Sequence, residues 1–332
     1  MLKRYATVLA ITLLHIVSAP AEGAAHGAAP KSEADNSAAW RASAVRTLAA
    51  RGDAASLVTA AALTFVGPPA RPKADSAKAA VAALEFAAKA SELAPENPAI
   101  TWLHLHLCAN VPSCNIREAA TTMRWVDADN AAAWLPTLAA AQKDRDTIQV
   151  DRVLTDMAQG TRFDLYGNRA TVLMYDTLKN VRGALPVNYL KSDLARLTEA
   201  MGIAGAVVMP SFSPLINACR EAAAAERREA CLRLSKTMQR ADAVMAQLVG
   251  FAIEKRVTAD GRELRVIAER RRLLEWRVFA ANQSDTPLLP WLRNARARSR
   301  LAKMRAMPRE EDVCIALLRE HGIPLEPPED HR

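Results

Sequence analysis

The sequence predicts an all-α fold, in which an N-terminal array of helical hairpins is followed by a C-terminal helical region packed against it. Half of the 332 residues are apolar, yet aromatic residues make up only 5%. Alanine is abundant, and alanine and leucine favour helices, whereas strands favour β-branched and aromatic side chains. No sustained run alternates apolar and polar residues as a half-buried strand would. A second observation, a recurring sequence motif, sets where the helices begin.

The motif Asp129–Trp134 combines an asparagine that can cap a helix, several small residues and one tryptophan. A near-copy occurs at Asp35–Trp40, and a version with one extra residue occurs at Glu96–Trp102. Each copy predicts the start of a helix. In the third copy Pro98 follows Asn97 and takes the first helical position, where its missing N–H group costs nothing.

Periodicity and turn signals predict paired helices along the first half of the chain. Glycine and proline in residues 67–72 interrupt this array, and Pro136 is expected to kink the helix that Asn130 begins. The starts at Asn97 and Asn130 lie 33 residues apart. The predicted helices span residues 36–50, 54–65, 78–93, 98–108, 116–126, 131–142 and 147–158. In the second half they span residues 162–179, 192–201, 231–252, 264–280, 291–307 and 310–320.

A recurrence of about 34 residues, with two helices per unit and a tryptophan early in the first helix, resembles the tetratricopeptide repeat. Trp102 and Leu105 match the opening of that pattern, while Ala82, Phe86 and Pro95 match its close. The resemblance covers residues 35–160. Several positions depart from the family pattern: His106 and Ala109 in the unit of Trp102, and Thr137, Leu138 and Ala141 in the unit of Trp134.

The resemblance implies stacked helix pairs with a concave surface that binds a partner. The early aromatic residues Trp40, Trp102 and Trp134 are expected to pack between helices. The alternative is that these three side chains line a ligand groove.

The N-terminus is predicted to be a secretory signal peptide, residues 1–21. Lys3 and Arg4 precede an apolar run, and Ala19-Pro20-Ala21 suits cleavage after Ala21. The alternative is an uncleaved anchor, but the run is short for a transmembrane helix. The mature chain is expected to be exported, and in a bacterium periplasmic, with no membrane span. Residues 22–34 are predicted as a flexible lead-in, residues 35–182 as the array, residues 183–325 as the C-terminal region and residues 326–332 as a tail.

Export determines how the five cysteines are interpreted, because close pairs form disulfides in an oxidising compartment. Cys108 and Cys114 flank a loop and are predicted to pair. Cys219 and Cys231 are also predicted to pair. On one continuous helix they would lie roughly 18 Å apart at about 1.5 Å per residue, so their bond requires a chain reversal within residues 221–228. Cys314 is expected to be a buried thiol, with a reactive thiol as the alternative.

The positive charge is concentrated between residues 262 and 305, where twelve Lys and Arg residues outnumber four acidic residues. One interpretation is a basic face for a polyanion such as anionic lipid headgroups. The other is a set of solvated helix faces, since three consecutive arginines point in three directions on a helix. Export disfavours a nucleic-acid partner. The candidate contact residues are Arg270, Arg271, Arg296, Arg298 and Arg300.

No metal, cofactor or catalytic site is predicted. His104 and His106 invite a metal interpretation, but residues two apart on a helix diverge. Glu310 and Glu311 are predicted at an exposed helix start, where acids favour the helix dipole. The chain lacks the common hydrolase, metalloprotease and nucleotide-binding motifs. We therefore expect a non-enzymatic interaction protein for a protein or peptide; the alternatives are a polyanion-binding envelope protein and a hydrolase with scattered carboxylates.

Overall fold

The computed structural model describes residues 31–67, 73–181, 192–220, 224–284 and 290–328. In these ranges the regular structure consists of fifteen α-helices and one 3₁₀ helix, without a strand, so the all-α prediction is confirmed. From Asn36 onward the described residues belong to one unit. The predicted signal peptide, and all of the lead-in before residue 31, lie outside the described residues.

The described part of the N-terminal half contains seven α-helices and one 3₁₀ helix, and aspartate or asparagine side chains cap most of their starts. Asn97 Oδ1 accepts the Ala99 N–H at 3.1 Å, and Asp146 Oδ1 accepts the Gln149 N–H at 2.9 Å. These bonds satisfy amide groups that have no partner within the helix. The helices are α1 Lys31–Arg51, α2 Ala54–Val66, α3 Lys73–Leu93, α4 Pro98–Cys108, α5 Ile116–Val126, the 3₁₀ helix Ala131–Trp134, α6 Leu135–Lys143 and α7 Thr147–Gln159.

The remaining eight helices follow an extended segment, Gly160–Tyr166, that leads out of α7. They are α8 Gly167–Lys179, α9 Asp193–Val208, α10 Ser213–Arg220, α11 Ala225–Met238, α12 Val244–Val257, α13 Gly261–Ser284, α14 Pro290–Ala306 and α15 Glu310–Glu320.

Several sequence-based boundaries are wrong. Helix α1 already begins at Lys31, so Asn36 lies inside it, and the last residues of the predicted lead-in are helical. Lysine, glutamate and alanine precede Asn36, and these good helix formers extend the helix past the potential cap. Pro136 lies in the first turn of α6, next to the point where the predicted helix changes from 3₁₀ to α.

Two further errors fall where the chain is not helical. Residues 162–166 are not helical, and the long helix predicted over residues 231–252 is two helices separated by residues 239–243. Buried side chains described below bond the backbone of residues 162–166, and in the second break the Gln247 side chain donates to the Ala241 carbonyl at 2.9 Å. Glu310 and Glu311 do begin a helix, but neither is exposed.

The helices of the array pack in sequence, with α2 on α3, α3 on α4, α4 on α5 and α6 on α7. The C-terminal helices return onto them, because α9 packs on α2 and α4, α10 packs on α6, and α11 packs on α7. Trp102 Nε1 donates to the Val208 carbonyl at 3.0 Å, which ties the middle of the array to the end of α9. The two predicted regions therefore share one hydrophobic core.

Within the described residues, no single helix is long and apolar enough to cross a membrane. Helices α9 and α10 together pass the same test as a pair bent by 47°. Val207 and Val208 of α9 and Leu215 of α10 are buried in the protein core, as expected of core helices.

The structure joins both predicted cysteine pairs. The Cα atoms of Cys108 and Cys114 lie 5.4 Å apart, and those of Cys219 and Cys231 lie 5.7 Å apart. Cys219 is on α10 and Cys231 on α11, so the chain reverses between these helices as the bond requires. Cys314 belongs to neither disulfide and is buried. Two disulfides fit an oxidising, exported environment.

Removing the second disulfide with the paired change Cys219→Ser and Cys231→Ser is expected to lower the free energy of unfolding by about 2–4 kcal/mol, because the bond restricts the unfolded chain. Denaturant titration measures the loss, and a reductant should have a smaller effect on the variant than on the native protein. Free thiols at these positions in the unreduced protein, detected by mass analysis, would contradict the pairing.

Candidate functional site

The motif residue Asn130 is completely buried and uses its whole amide group. Its Oδ1 accepts the N–H groups of Ala132 at 3.1 Å and Asp164 at 2.9 Å. Its Nδ2 donates to the Asp164 carbonyl at 2.9 Å and to Tyr166 Oη at 3.1 Å. Asn130 therefore caps the 3₁₀ helix and also fixes the extended segment that follows α7.

Backbone bonds hold the same segment against the motif. The Ala131 N–H donates to the Arg162 carbonyl at 2.9 Å, and the Arg162 N–H donates to the Asp129 carbonyl at 3.2 Å. A Cβ atom at Gly160 would lie 2.9 Å from the Ala131 Cβ and 3.0 Å from its backbone nitrogen. This close approach requires glycine at the start of the segment.

Charged side chains surround this contact. Tyr166 Oη and Arg162 Nη2 both donate to the Asp127 carboxylate, and Arg162 Nη1 lies 2.8 Å from Asp164 Oδ2. Burial, reinforced by the bond to Asp127, raises the pKa of Tyr166 far above its ordinary value. Burial also raises the pKa of Asp164, although Arg162 counteracts the effect. Tyr166 itself adopts a left-handed conformation, with φ 59°.

A second polar cluster joins this segment to the C-terminal helices. Asp242 lies in the break between α11 and α12, and its two carboxylate oxygens accept the N–H groups of Leu165 at 2.7 Å and Tyr166 at 2.6 Å. The Asp242 carbonyl accepts the Glu310 N–H at 2.7 Å. In return Glu310 Oε2 accepts the Val244 N–H at 2.8 Å. We call residues 162–166, 242–244 and 310 the buried junction.

The polar groups of the buried junction are engaged in bonds that hold the chain. The oxygens of Asp242 are already bonded to backbone N–H groups, and its side chain is withdrawn from solvent. Among the described residues, no group of three histidine, cysteine or acidic side chains could hold a metal ion.

The structure places the three candidate tryptophans in packing positions. Trp40 and Trp102 are each 2% exposed, and the ring of Trp102 lies 6.2 Å from that of Tyr166. Trp134 is half-buried, with the Arg124 guanidinium 4.3 Å from its ring centre.

Most of the candidate arginines contact partners inside the protein. Arg270 donates to Gln239 at 2.5 Å, Arg271 pairs with Glu275 at 2.8 Å and Arg298 pairs with Asp193 at 3.0 Å. Arg300 donates to Asn282 at 3.2 Å, and Arg296 is half-buried. Helix α14 carries no acidic residue, and acids on three neighbouring helices pair with three of its six basic residues: Asp176 on α8, Asp193 on α9 and Glu320 on α15.

His104 and His106 are both withdrawn from water, which lowers their pKa values, that of His106 to about 4. An unfolded histidine titrates near 6.5, so below that pH the unfolded chain takes up protons that folded His106 does not. We expect His106→Gln to lose less stability than the native protein between pH 6.5 and pH 4. Equal losses in thermal unfolding would contradict this assignment.

The most exposed large apolar side chain described is Trp125, at 84%. It lies near the end of α5 in a shallow, open surface groove of about 550 Å³, which is lined by residues of this one helix and its cap. Helix α5 turns Ala119, Ala120 and Met123 toward the core, so Trp125 projects from the opposite face. The groove is lined by Asn115, Arg117, Glu118, Thr121, Thr122 and Trp125.

No known protein-family model matches the chain, and no curated protein or solved structure is significantly similar to it. Its candidate sites therefore have to be argued from their own geometry. Local sequence signals identified Asn130 as a cap but missed the buried junction, whose members lie far apart in the sequence. The sequence could have indicated that Trp125 is exposed, because this residue lies outside the apolar stripe of α5.

Replacing Asn130 with alanine is expected to lower the free energy of unfolding by at least about 2 kcal/mol, because buried N–H and C=O groups lose their partners. Asn110→Ala is the control: its side chain also bonds a backbone carbonyl, that of His106 at 2.8 Å, but in an exposed position. The control should change stability by about 0.5 kcal/mol or less. Equal losses in the two variants would show that Asn130 is an ordinary cap.

Proposed function

We propose that this protein is an exported, non-enzymatic interaction protein of helical-repeat type, which holds a protein or peptide partner. The tetratricopeptide-like spacing supports the repeat character, since α4 and the 3₁₀ helix begin after asparagine caps 33 residues apart. The two disulfides support export, and the proposal includes a signal peptide cleaved after Ala21 and a periplasmic location.

The exposure of Trp125 is the observation that carries the proposal. Its side chain belongs to none of the hydrophobic clusters of the described residues, so packing within the chain does not account for an indole there. A tryptophan removes about 150–250 Å² from water when covered, which is worth on the order of 4–6 kcal/mol at about 25 cal/mol per Å². Tryptophan is also among the residues that dominate binding energies at interfaces.

The surroundings of Trp125 resemble the composition of a protein interface, where a central aromatic residue is rimmed by polar groups. Arg117 and Thr121 lie eight and four residues before Trp125, on the same stripe of α5. Glu118 lies beside them and accepts a bond from Asn115 Nδ2 at 3.2 Å. The groove thus offers both charges, which suits a polypeptide better than a uniformly anionic ligand.

Binding to an anionic envelope surface receives less support. The arginines proposed for that role are engaged within the protein, as Arg271 is with Glu275 and Arg298 with Asp193. A surface that attracts polyanions needs an excess of uncompensated positive charge, and these pairs reduce it.

The test compares Trp125→Ala with Ile148→Ala, a control that truncates another apolar residue, 82% exposed, on the same array. Tagged, full-length protein is expressed in its own host, cross-linked in intact cells and purified, and its partners are quantified by mass spectrometry. We expect Trp125→Ala to lower partner recovery at least tenfold, because losing a binding hot spot costs about 2 kcal/mol or more.

Both variants should keep native thermal stability, because both side chains are exposed. The result that would overturn the proposal is full recovery of every partner by Trp125→Ala. An equal loss in both variants would also count against the groove, because it would place the interface elsewhere or across the whole array.

A further inference from the structure

The buried junction brings together three carboxylates from three separate parts of the chain. Asp164 comes from the segment that leads out of the array, Asp242 from the break between α11 and α12, and Glu310 from the first turn of α15. The carboxylates of Asp242 and Glu310 accept backbone N–H groups of another segment, so the junction is where the array is fastened to the C-terminal helices.

Hydrogen bonds connect three segments of the chain, and between two of them the bonds run in both directions. Asp242 holds the amide groups of Leu165 and Tyr166, while its own carbonyl holds the amide of Glu310. Glu310 holds the amide of Val244, two residues beyond Asp242. Asn168, in the first turn of α8, adds bonds at 3.2 Å to the carbonyls of Met307 and Pro308, immediately before α15.

The three carboxylates differ in how far nearby arginines offset their negative charge. The arginines that act on Asp164 are Arg162 of its own segment and Arg169 of α8, and Asp127 opposes them. Glu310 is influenced by Arg300 of α14. The charged groups with the largest effect on Asp242 are Asp164 and Glu310, both acidic.

Asp242 therefore has two acidic neighbours and, among the described residues, no ion-pair partner.

We propose that the buried junction is a proton-dependent clasp: proton uptake by Asp242 fastens the array to the C-terminal helices, and release of that proton loosens them. An ionised carboxylate that is buried without a cation is energetically unfavourable. The cost is removed either when the carboxylate takes up a proton or when the junction opens to water.

The direction of the pKa shift of Asp242 agrees with this geometry. Burial raises the pKa of Asp242 to about 7; the amide bonds of Leu165 and Tyr166 oppose the shift, and the neighbouring acids Asp164 and Glu310 reinforce it. Burial also raises the pKa of Glu310. An exported protein experiences the pH of its surroundings, so a group that titrates near neutrality responds to ordinary changes there.

The direction of the pH dependence follows from the difference in the pKa of Asp242 between the closed and open junction. In the closed junction Asp242 binds a proton with a pKa of about 7, whereas after opening to water it regains the ordinary value of about 3.9. Between these values only the closed state is protonated. The opening equilibrium therefore falls about tenfold per pH unit below pH 7 and levels off above it.

Hydrogen exchange of the Leu165 and Tyr166 amides in the full-length exported chain tests the clasp between pH 5 and pH 8. After correction for intrinsic exchange rates, we expect the opening equilibrium at pH 5 to be lower than at pH 8 by on the order of 100-fold. Asp242→Asn keeps the side-chain shape but cannot titrate, so its profile should be much flatter than the native one, with only the raised pKa values of Glu310 and Asp164 left to contribute. Asp193→Asn, an acid that bonds Tyr175 and Arg298 at the start of α9, should keep the native slope.

A flat native profile, or a steep profile that survives Asp242→Asn, would overturn the proposal. Should Asp242→Asn fail to fold, Glu310→Gln supplies the second variant, since its amide oxygen can still accept the Val244 amide. Removing that negative charge lowers the cost of ionising Asp242, so the midpoint of the profile should move to lower pH. An unchanged midpoint would contradict the clasp.

Discussion

The side chain of Asn130 makes four hydrogen bonds, and the path of the chain after the array depends on them. With them, residues 162–166 run extended across the motif instead of continuing as a helix, which presents the Leu165 and Tyr166 amides to Asp242. An amide side chain with every donor and acceptor satisfied can be buried without penalty, whereas a partly satisfied one cannot. The motif therefore specifies a long-range connection as well as a helix start.

That connection explains why the two predicted regions are not separate bodies. Helix α9 lies on α2 and α4, and α11 lies on α7, so the apolar faces of the array are covered by the returning chain. Trp102 completes the contact through its bond to the Val208 carbonyl. Under the proposed function, the partner would therefore bind where Trp125 projects from α5, because the returning helices already pack on α2, α4, α6 and α7.

Local signals in the sequence predicted a large part of this fold. The caps at Asn97 and Asn130 and the pairing of Cys108 with Cys114 depend on residues a few positions apart, which a single sequence displays. Asp242 bonds residues 76 and 77 positions earlier, and no local pattern reports such a contact. Residues 162–166 and 239–243 were both predicted as helix because their composition permits it; buried hydrogen bonds overrode that preference. Glu310 was likewise predicted to be an exposed acid that stabilises the helix dipole. Its bond to the Val244 amide joins residues far apart in the sequence, so no local pattern revealed its burial.

One core and one buried junction join the array to the C-terminal helices, so we expect them to fold as a single cooperative unit. Differential scanning calorimetry of the oxidised chain measures this cooperativity. We expect one thermal transition whose calorimetric enthalpy equals its van't Hoff enthalpy. Two resolved transitions, or a calorimetric enthalpy well above the van't Hoff value, would mean that the regions unfold independently.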